Sequence, residues 1–174
     1  MKILYIYGYG GSATGSTVTM LKRLMPKGCS VEAFTYTQAD CAKARDEILA
    51  YIREHDIDLV MGSSLGGFIT HTLKGVPRIL INPCWLPSKV LPSIGAPAEL
   101  VATYAPFEKW AEEHAAEDKS LVHAFFADTD ELLGDKYVSA FLRHYPESHC
   151  HRISSSHHLS EKGARAIIEH LCKN

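Results

Sequence analysis

Asp58-Leu59-Val60-Met61-Gly62-Ser63-Ser64-Leu65-Gly66-Gly67-Phe68-Ile69-Thr70-His71-Thr72-Leu73 runs from a short apolar segment, through a G-x-S-x-G pentapeptide, into a helix-compatible one. A chain that leaves a strand and enters a helix within so few residues must reverse sharply. The residue at the apex then takes left-handed backbone angles, and side chains two positions to either side would strike neighbouring backbone. Gly62 and Gly66 remove those side chains around Ser64. Ser63 would need glycine at 61 and 65, where the chain has Met61 and Leu65, so the register selects Ser64.

Outward from this turn, apolar runs alternate with segments of helical period, the pattern of a parallel sheet buried on both faces by helices. Strands are predicted over residues 2–7, 30–36, 57–62, 78–82, 120–127 and 148–153. Helical faces are predicted from Cys41, Ala44, Ile48 and Ile52, from Val138, Phe141, Leu142 and Tyr145, and from Ala164, Ile167, Ile168 and Leu171. Asp135 and Ser160 have the residue types that cap the last two helices. Residues 83–119 are too many for a plain crossover. They carry repeated prolines and apolar bulk, with a helix predicted near Pro106–Ala116, and form either a cap-like segment or an excursion packed on itself. The expected fold is α/β: a three-layer α/β/α sandwich around a mostly parallel six-stranded sheet, in one domain spanning 1–174.

Composition narrows the partners. With 18 basic and 20 acidic residues, net charge −2, there is no basic stripe for nucleic acid. Cys29, Cys41, Cys84, Cys150 and Cys172 are odd in number and hold no C-x-x-C pair, so reduced, packed thiols are expected rather than disulfides or a thiolate metal site. No segment reaches the length of a signal peptide or membrane span, which leads to the expectation of a cytoplasmic protein with no membrane partner. Oligomeric state is not legible.

A serine hydroxyl is a weak nucleophile unless a histidine takes its proton and a carboxylate orients that histidine. In the α/β-hydrolase arrangement the order along the chain is serine, acid, histidine, with the acid just past a later strand and the histidine past the last one. The run Leu121–Ala127 delivers Asp128-Thr129-Asp130-Glu131 at its carboxyl end. Asp130 is the expected acid, since a short turn must swing the carboxylate towards the histidine, and Asp128 is the alternate. The last strand runs into Ser154-Ser155-Ser156-His157-His158-Leu159-Ser160, where either His157 or His158 fits the base. The N–H of Leu65 and that of Tyr9, in the loop Tyr7-Gly8-Tyr9-Gly10-Gly11-Ser12, are the expected oxyanion donors. His149 and His151 share a strand face, but no third ligand is evident in the sequence, and neither a metal nor a cofactor is expected.

Two other readings compete. Gly8-Tyr9-Gly10-Gly11-Ser12-Ala13 fits G-x-G-x-x-A after a first strand, the loop that holds a dinucleotide pyrophosphate. That reading needs an acid closing the second strand, and Val31–Thr37 is predicted to end in neutral residues. The other is a non-catalytic α/β module with a vestigial turn.

Gly62-Ser63-Ser64-Leu65-Gly66-Gly67, then Leu80-Ile81-Asn82-Pro83 followed by Pro87 and Leu91, then Asp130-Glu131, and a small-residue loop with a histidine together resemble the YqiA-type small esterases of the α/β-hydrolase superfamily, over nearly the whole chain. The resemblance implies a compact, nearly lidless hydrolase acting on small-molecule acyl esters through a serine, aspartate and histidine. Position by position it implies Ser64 as nucleophile, Asp130 as acid and, two residues before Leu159, His157 as base. The chain departs from the family's pattern at Tyr7-Gly8-Tyr9, where His-Gly-Phe is common, and at Ser154-Ser155-Ser156, which replace glycines. The first change would reshape the acyl pocket and the second stiffen the histidine loop.

Overall fold

Ile3, Leu4, Tyr5 and Ile6 of strand β1 (Lys2–Ile6) are all buried, because the strand runs through the middle of a sheet with helices on both faces. The computed structural model describes residues 1–173. The chain continues through α1 (Ser16–Leu24), β2 (Ser30–Glu32), α2 (Cys41–His55), β3 (Leu59–Ser63), α3 (Leu65–Thr72) and β4 (Arg78–Ile81). There follow α4 (Pro87–Val90), α5 (Ala98–Glu113), β5 (Val122–Thr129), α6 (Lys136–Leu142), β6 (Cys150–Ser156) and α7 (Glu161–Lys173). The strands lie in the order β2-β1-β3-β4-β5-β6, every pair parallel. Helices α1 and α7 cover one face, while α2, α3, α5 and α6 cover the other.

Local chemistry sets several boundaries. Asp40 accepts the Lys43 N–H at 3.0 Å and starts α2, and Ser160 Oγ accepts the Gly163 N–H at 3.1 Å and starts α7. Asp135 does not cap α6. Its carboxylate takes a hydrogen bond from Arg152 at 2.7 Å instead.

Four expectations need correction. β2 stops at Glu32 rather than at 36, because the apolar residues beyond it serve a loop. Phe34 stacks on Tyr51 at 4.3 Å, and Tyr36 folds back over β1, its hydroxyl donating to the Tyr7 carbonyl at 2.6 Å. β6 runs three residues further than expected, since Ser156 still pairs with Thr129. α5 begins at Ala98 and carries Pro106 inside it. Burial of Leu100, Tyr104 and Ala111 along one face offsets the roughly 3 kcal/mol that an interior proline costs. The inward face of α6 is Tyr137, Ala140 and Phe141, and Leu142 is turned to solvent.

Residues 83–119 lie mainly against the sheet's helical layer. Tyr104, fully buried, donates to the Gln38 carbonyl at 2.7 Å, and α5 packs on α2 and α3. At the start of β4, Arg78 is buried with its guanidinium on the carbonyls of His71 and Leu73 and 2.7 Å from Asp118. All five cysteines are free thiols, Cys41 and Cys84 fully inside. Among the described residues no helix is long and apolar enough to cross a membrane.

Candidate active site

Strand order reverses between β1 and β3, so the loops leaving their carboxyl ends diverge and open a crevice, where parallel α/β sheets bind ligands. The loop after β1 and the turn after β3 line a cavity of about 430 Å³ there, together with Ile94, Leu132, His157, His158 and Leu159.

Ser64 occupies the turn between β3 and α3 with φ 54° and ψ −119°, a conformation a serine holds only when its surroundings enforce it. The enforcement is steric. A methyl group on Gly62 would overlap the Gly66 carbonyl and the Thr70 hydroxyl, and one on Gly66 would overlap the carbonyl oxygens of Ile6 and Tyr7. The loop after β1 closes from the other side, since a Cβ on Gly8 would come within 3.1 Å of Ser64 Cβ. Leu65 is the first residue of α3, which puts its N–H at the positive end of that helix, and Tyr9 lines the cavity.

His157 follows β6 directly, and its Nε2 lies 3.1 Å from Ser64 Oγ. On the other side of the ring, Nδ1 is 2.9 Å from Asp130 Oδ2 and 3.1 Å from Oδ1. The His157 and Asp130 side chains are only 8% and 7% exposed, so water competes little for this pair. Burial alone would push the Asp130 carboxyl up. Hydrogen bonds from His157 and from the Leu133 and Leu132 N–H groups outweigh it and hold Asp130 below the ordinary carboxylate value, as an anion.

The alternates make other contacts. A register shift between Ala127 and Thr129 turns Asp128 outward, where it is exposed and 3.6 Å from Arg152. His158 is exposed, its ring 5.8 Å from that of His157, and its carbonyl accepts the hydroxyls of Ser155 and Ser156 at 3.1 and 3.2 Å. Those two bonds are what the serines contribute where glycines would leave the loop free.

Three further residues at the site were given no role from sequence. Asn82, at φ 42°, donates from Nδ2 to the carbonyls of Ser156 and His157 at 3.2 and 3.1 Å and accepts the Ala127 N–H at 2.7 Å. Its sequence signals are a polar residue ending an apolar strand and its place in the Leu80-Ile81-Asn82-Pro83 string, neither of which gave it a role. Glu131 accepts the His157 N–H at 3.1 Å, and Tyr5 OH lies 2.6 Å from Ser63 Oγ on the cavity wall.

The glycine loop belongs to this same cavity. Gln38 accepts the Gly10 N–H at 3.2 Å and donates to the Gly8 carbonyl at 2.8 Å. An acid does close β2, contrary to the sequence expectation, because the strand ends early at Glu32. That carboxylate is engaged by the Tyr51 hydroxyl at 3.0 Å, on α2, rather than turned to the glycines.

Away from the cavity the fold gathers histidines that the sequence left apart. His123, on β5, faces His151 on β6 and His170 on α7, and one nitrogen from each ring lies within 4.8 Å of the others. Burial, then the neighbouring imidazoles, push His123 down to about 4 and lower His151 and His170 as well, leaving neutral rings at neutral pH.

No protein-family model matches the chain, and no curated protein sequence matches it. Its backbone does match solved structures. Est1E from Butyrivibrio proteoclasticus superposes with a TM-score of 0.79 at 14% identity, covering 99% of this chain and 87% of that one. A monoacylglycerol lipase from Paleococcus ferrophilus gives 0.76 at 15% identity, over 99% and 94%. A structure from a study of the metagenome-derived lipolytic enzymes LipS and LipT gives 0.78 at 15% identity, over 99% and 91%. At such identities the likeness speaks for architecture, and with the parallel six-stranded sheet and the strained turn at its centre it gives this chain the α/β-hydrolase fold.

Proposed function

We propose that this protein is a serine hydrolase that cleaves short acyl esters through Ser64, His157 and Asp130. The observation that carries the reading is the continuous chain of contacts from Ser64 Oγ, through both nitrogens of His157, to the Asp130 carboxylate. Its setting supports it too: the serine is held in a left-handed turn at the foot of a cavity with Tyr7, Tyr9, Ile94, Leu132 and Leu159 on its walls. Esterases and lipases among the structures that share the fold make acyl transfer the natural chemistry for such a site.

In this reading Ser64 Oγ attacks the ester carbonyl while His157 Nε2 takes its proton. Asp130 keeps the Nδ1 proton in place and stabilises the imidazolium. The N–H groups of Leu65 and Tyr9 receive the tetrahedral oxyanion, each worth about 3 kcal/mol in the transition state. His157 then returns the proton to the departing alkoxide, leaving an acyl-serine. Water, deprotonated by the same imidazole, releases the acid.

Turnover of p-nitrophenyl acetate and butyrate by the purified protein tests this. Ser64→Ala and His157→Ala should each lower kcat by about 10⁴-fold or more. A fluorophosphonate probe should label Ser64 alone. Wild-type turnover surviving in Ser64→Ala would end the reading, whereas loss confined to His158→Ala would move the base by one residue.

A further inference from the structure

The histidine cluster lies at the end of the sheet opposite Ser64. His123 is the second residue of β5, and Asp130 follows that strand about 23 Å further along it. Three elements converge here: two neighbouring strands and the helix that covers them.

We infer that His123, His151 and His170 form a binding site for one divalent transition-metal ion of the zinc class. His123 Nδ1 and His151 Nε2 stand 3.0 Å apart. Two nitrogens bound to one tetrahedral zinc at 2.0–2.1 Å are separated by about 3.4 Å, so a small rotation away from their mutual hydrogen bond suffices. The His170 ring closes the third side, its centroid 4.8 Å from that of His123 and 4.6 Å from that of His151. Imidazole nitrogen is the borderline donor that zinc, copper and nickel prefer to magnesium or calcium.

The surroundings suit the ion. His149 stacks on His123 at 4.2 Å and donates from Nδ1 to the Val122 carbonyl at 2.9 Å, which fixes the plane against which His123 turns. A groove of about 240 Å³ bounded by His151, His170, Glu169 and Lys173 leads in from solvent and leaves room for a water as fourth ligand. Bound there, the metal would fasten edge strand β6 and helix α7 to β5, a structural role independent of the acyl-transfer proposal.

The test uses the full chain without an affinity tag, stripped with a chelator and titrated with zinc chloride by calorimetry, with cobalt chloride as a spectroscopic probe. One equivalent should bind at micromolar Kd or tighter, with a rise in Tm and the visible absorption of nitrogen-ligated cobalt. His170→Asn, a change on a half-exposed helix face, should weaken zinc at least tenfold. In the wild-type protein, zinc should protect His123 and His151 from diethyl pyrocarbonate, mapped by mass spectrometry, which removes any dependence on a variant's folding. Absence of saturable binding, wild-type affinity in His170→Asn, or protection falling on His157 instead would each overturn the assignment.

Discussion

Asn82 joins three strand ends with one side chain. Its amide spans from the Ala127 N–H on β5 to the carbonyls of Ser156 and His157 at the end of β6, so the carboxylate and imidazole loops are referenced to one residue just past β4. A left-handed φ in a residue other than glycine costs on the order of 1–3 kcal/mol, and Ser64 in the cavity and Asn82 under the histidine loop both hold one. Asn82→Ala should therefore leave a folded protein with a misplaced His157. The expected outcome is a fall in kcat of about 10²-fold on p-nitrophenyl butyrate with little change in KM; an unchanged kcat would show that the loop holds itself. At this scale the sequence was readable where sterics act locally. The clash that excludes a side chain at Gly62 is with Gly66 and Thr70, a few residues on, and Gly66, whose neighbours are the Ile6 and Tyr7 carbonyls of another strand end, was readable only as the matching glycine of the pentapeptide. The choice between His157 and His158 was not readable from spacing, since it depends on where β6 ends, and that is decided by Thr129 pairing with Ser156 on another strand.

Among the elements, β4 shows how a strand can hide a charge. Arg78 sits at its first position with a side chain fully buried, and Asp118, itself at φ 46° in the segment before β5, meets it while also accepting the Gly75 N–H at 2.6 Å. Removing one partner leaves the other charge buried and uncompensated. Asp118→Asn is expected to cost roughly 3 kcal/mol, read from urea unfolding at neutral pH; a loss below about 1 kcal/mol would mean water already reaches the guanidinium. Short runs of continuous apolar residues, such as β1 and β4, could be placed to within a residue or two. β2 and α5 could not, because their ends depend on partners distant in the chain: the Tyr36 hydroxyl on the Tyr7 carbonyl for one, the packing of Tyr104 against Gln38 for the other. The histidine cluster was hidden for the same reason, its members lying on two strands and a helix.

For the molecule as a whole, acid sensitivity follows from histidines unconnected with the cavity: the His123, His151 and His170 cluster, and one more fully buried than any of them. His71 on α3 is completely buried, its Nε2 2.7 Å from the Tyr145 hydroxyl. Burial first, and then Lys74, Arg78 and His144 nearby, hold its affinity for protons well below the ordinary value of 6.5. The unfolded chain thus binds a proton that the folded one refuses. Stability is fully present above pH 6.5 and declines as the pH falls below it, by up to about 1.4 kcal/mol per unit for this one group. Urea midpoints measured between pH 5 and 7.5 should show that decline, and a flatter one in His71→Gln; identical slopes would place the sensitivity elsewhere. The layered parallel architecture was legible from alternating apolar runs, whereas the strand order was not, because it is fixed by which helices find room on each face.

β6 has a neighbour on one side only, and it carries His157. Local opening is easiest at such a margin. When β6 and α7 breathe, the imidazole leaves while Ser64 stays clamped between β3 and α3. Warming or dilute urea would silence such a protein while its sheet is still intact, and the loss would reverse on cooling.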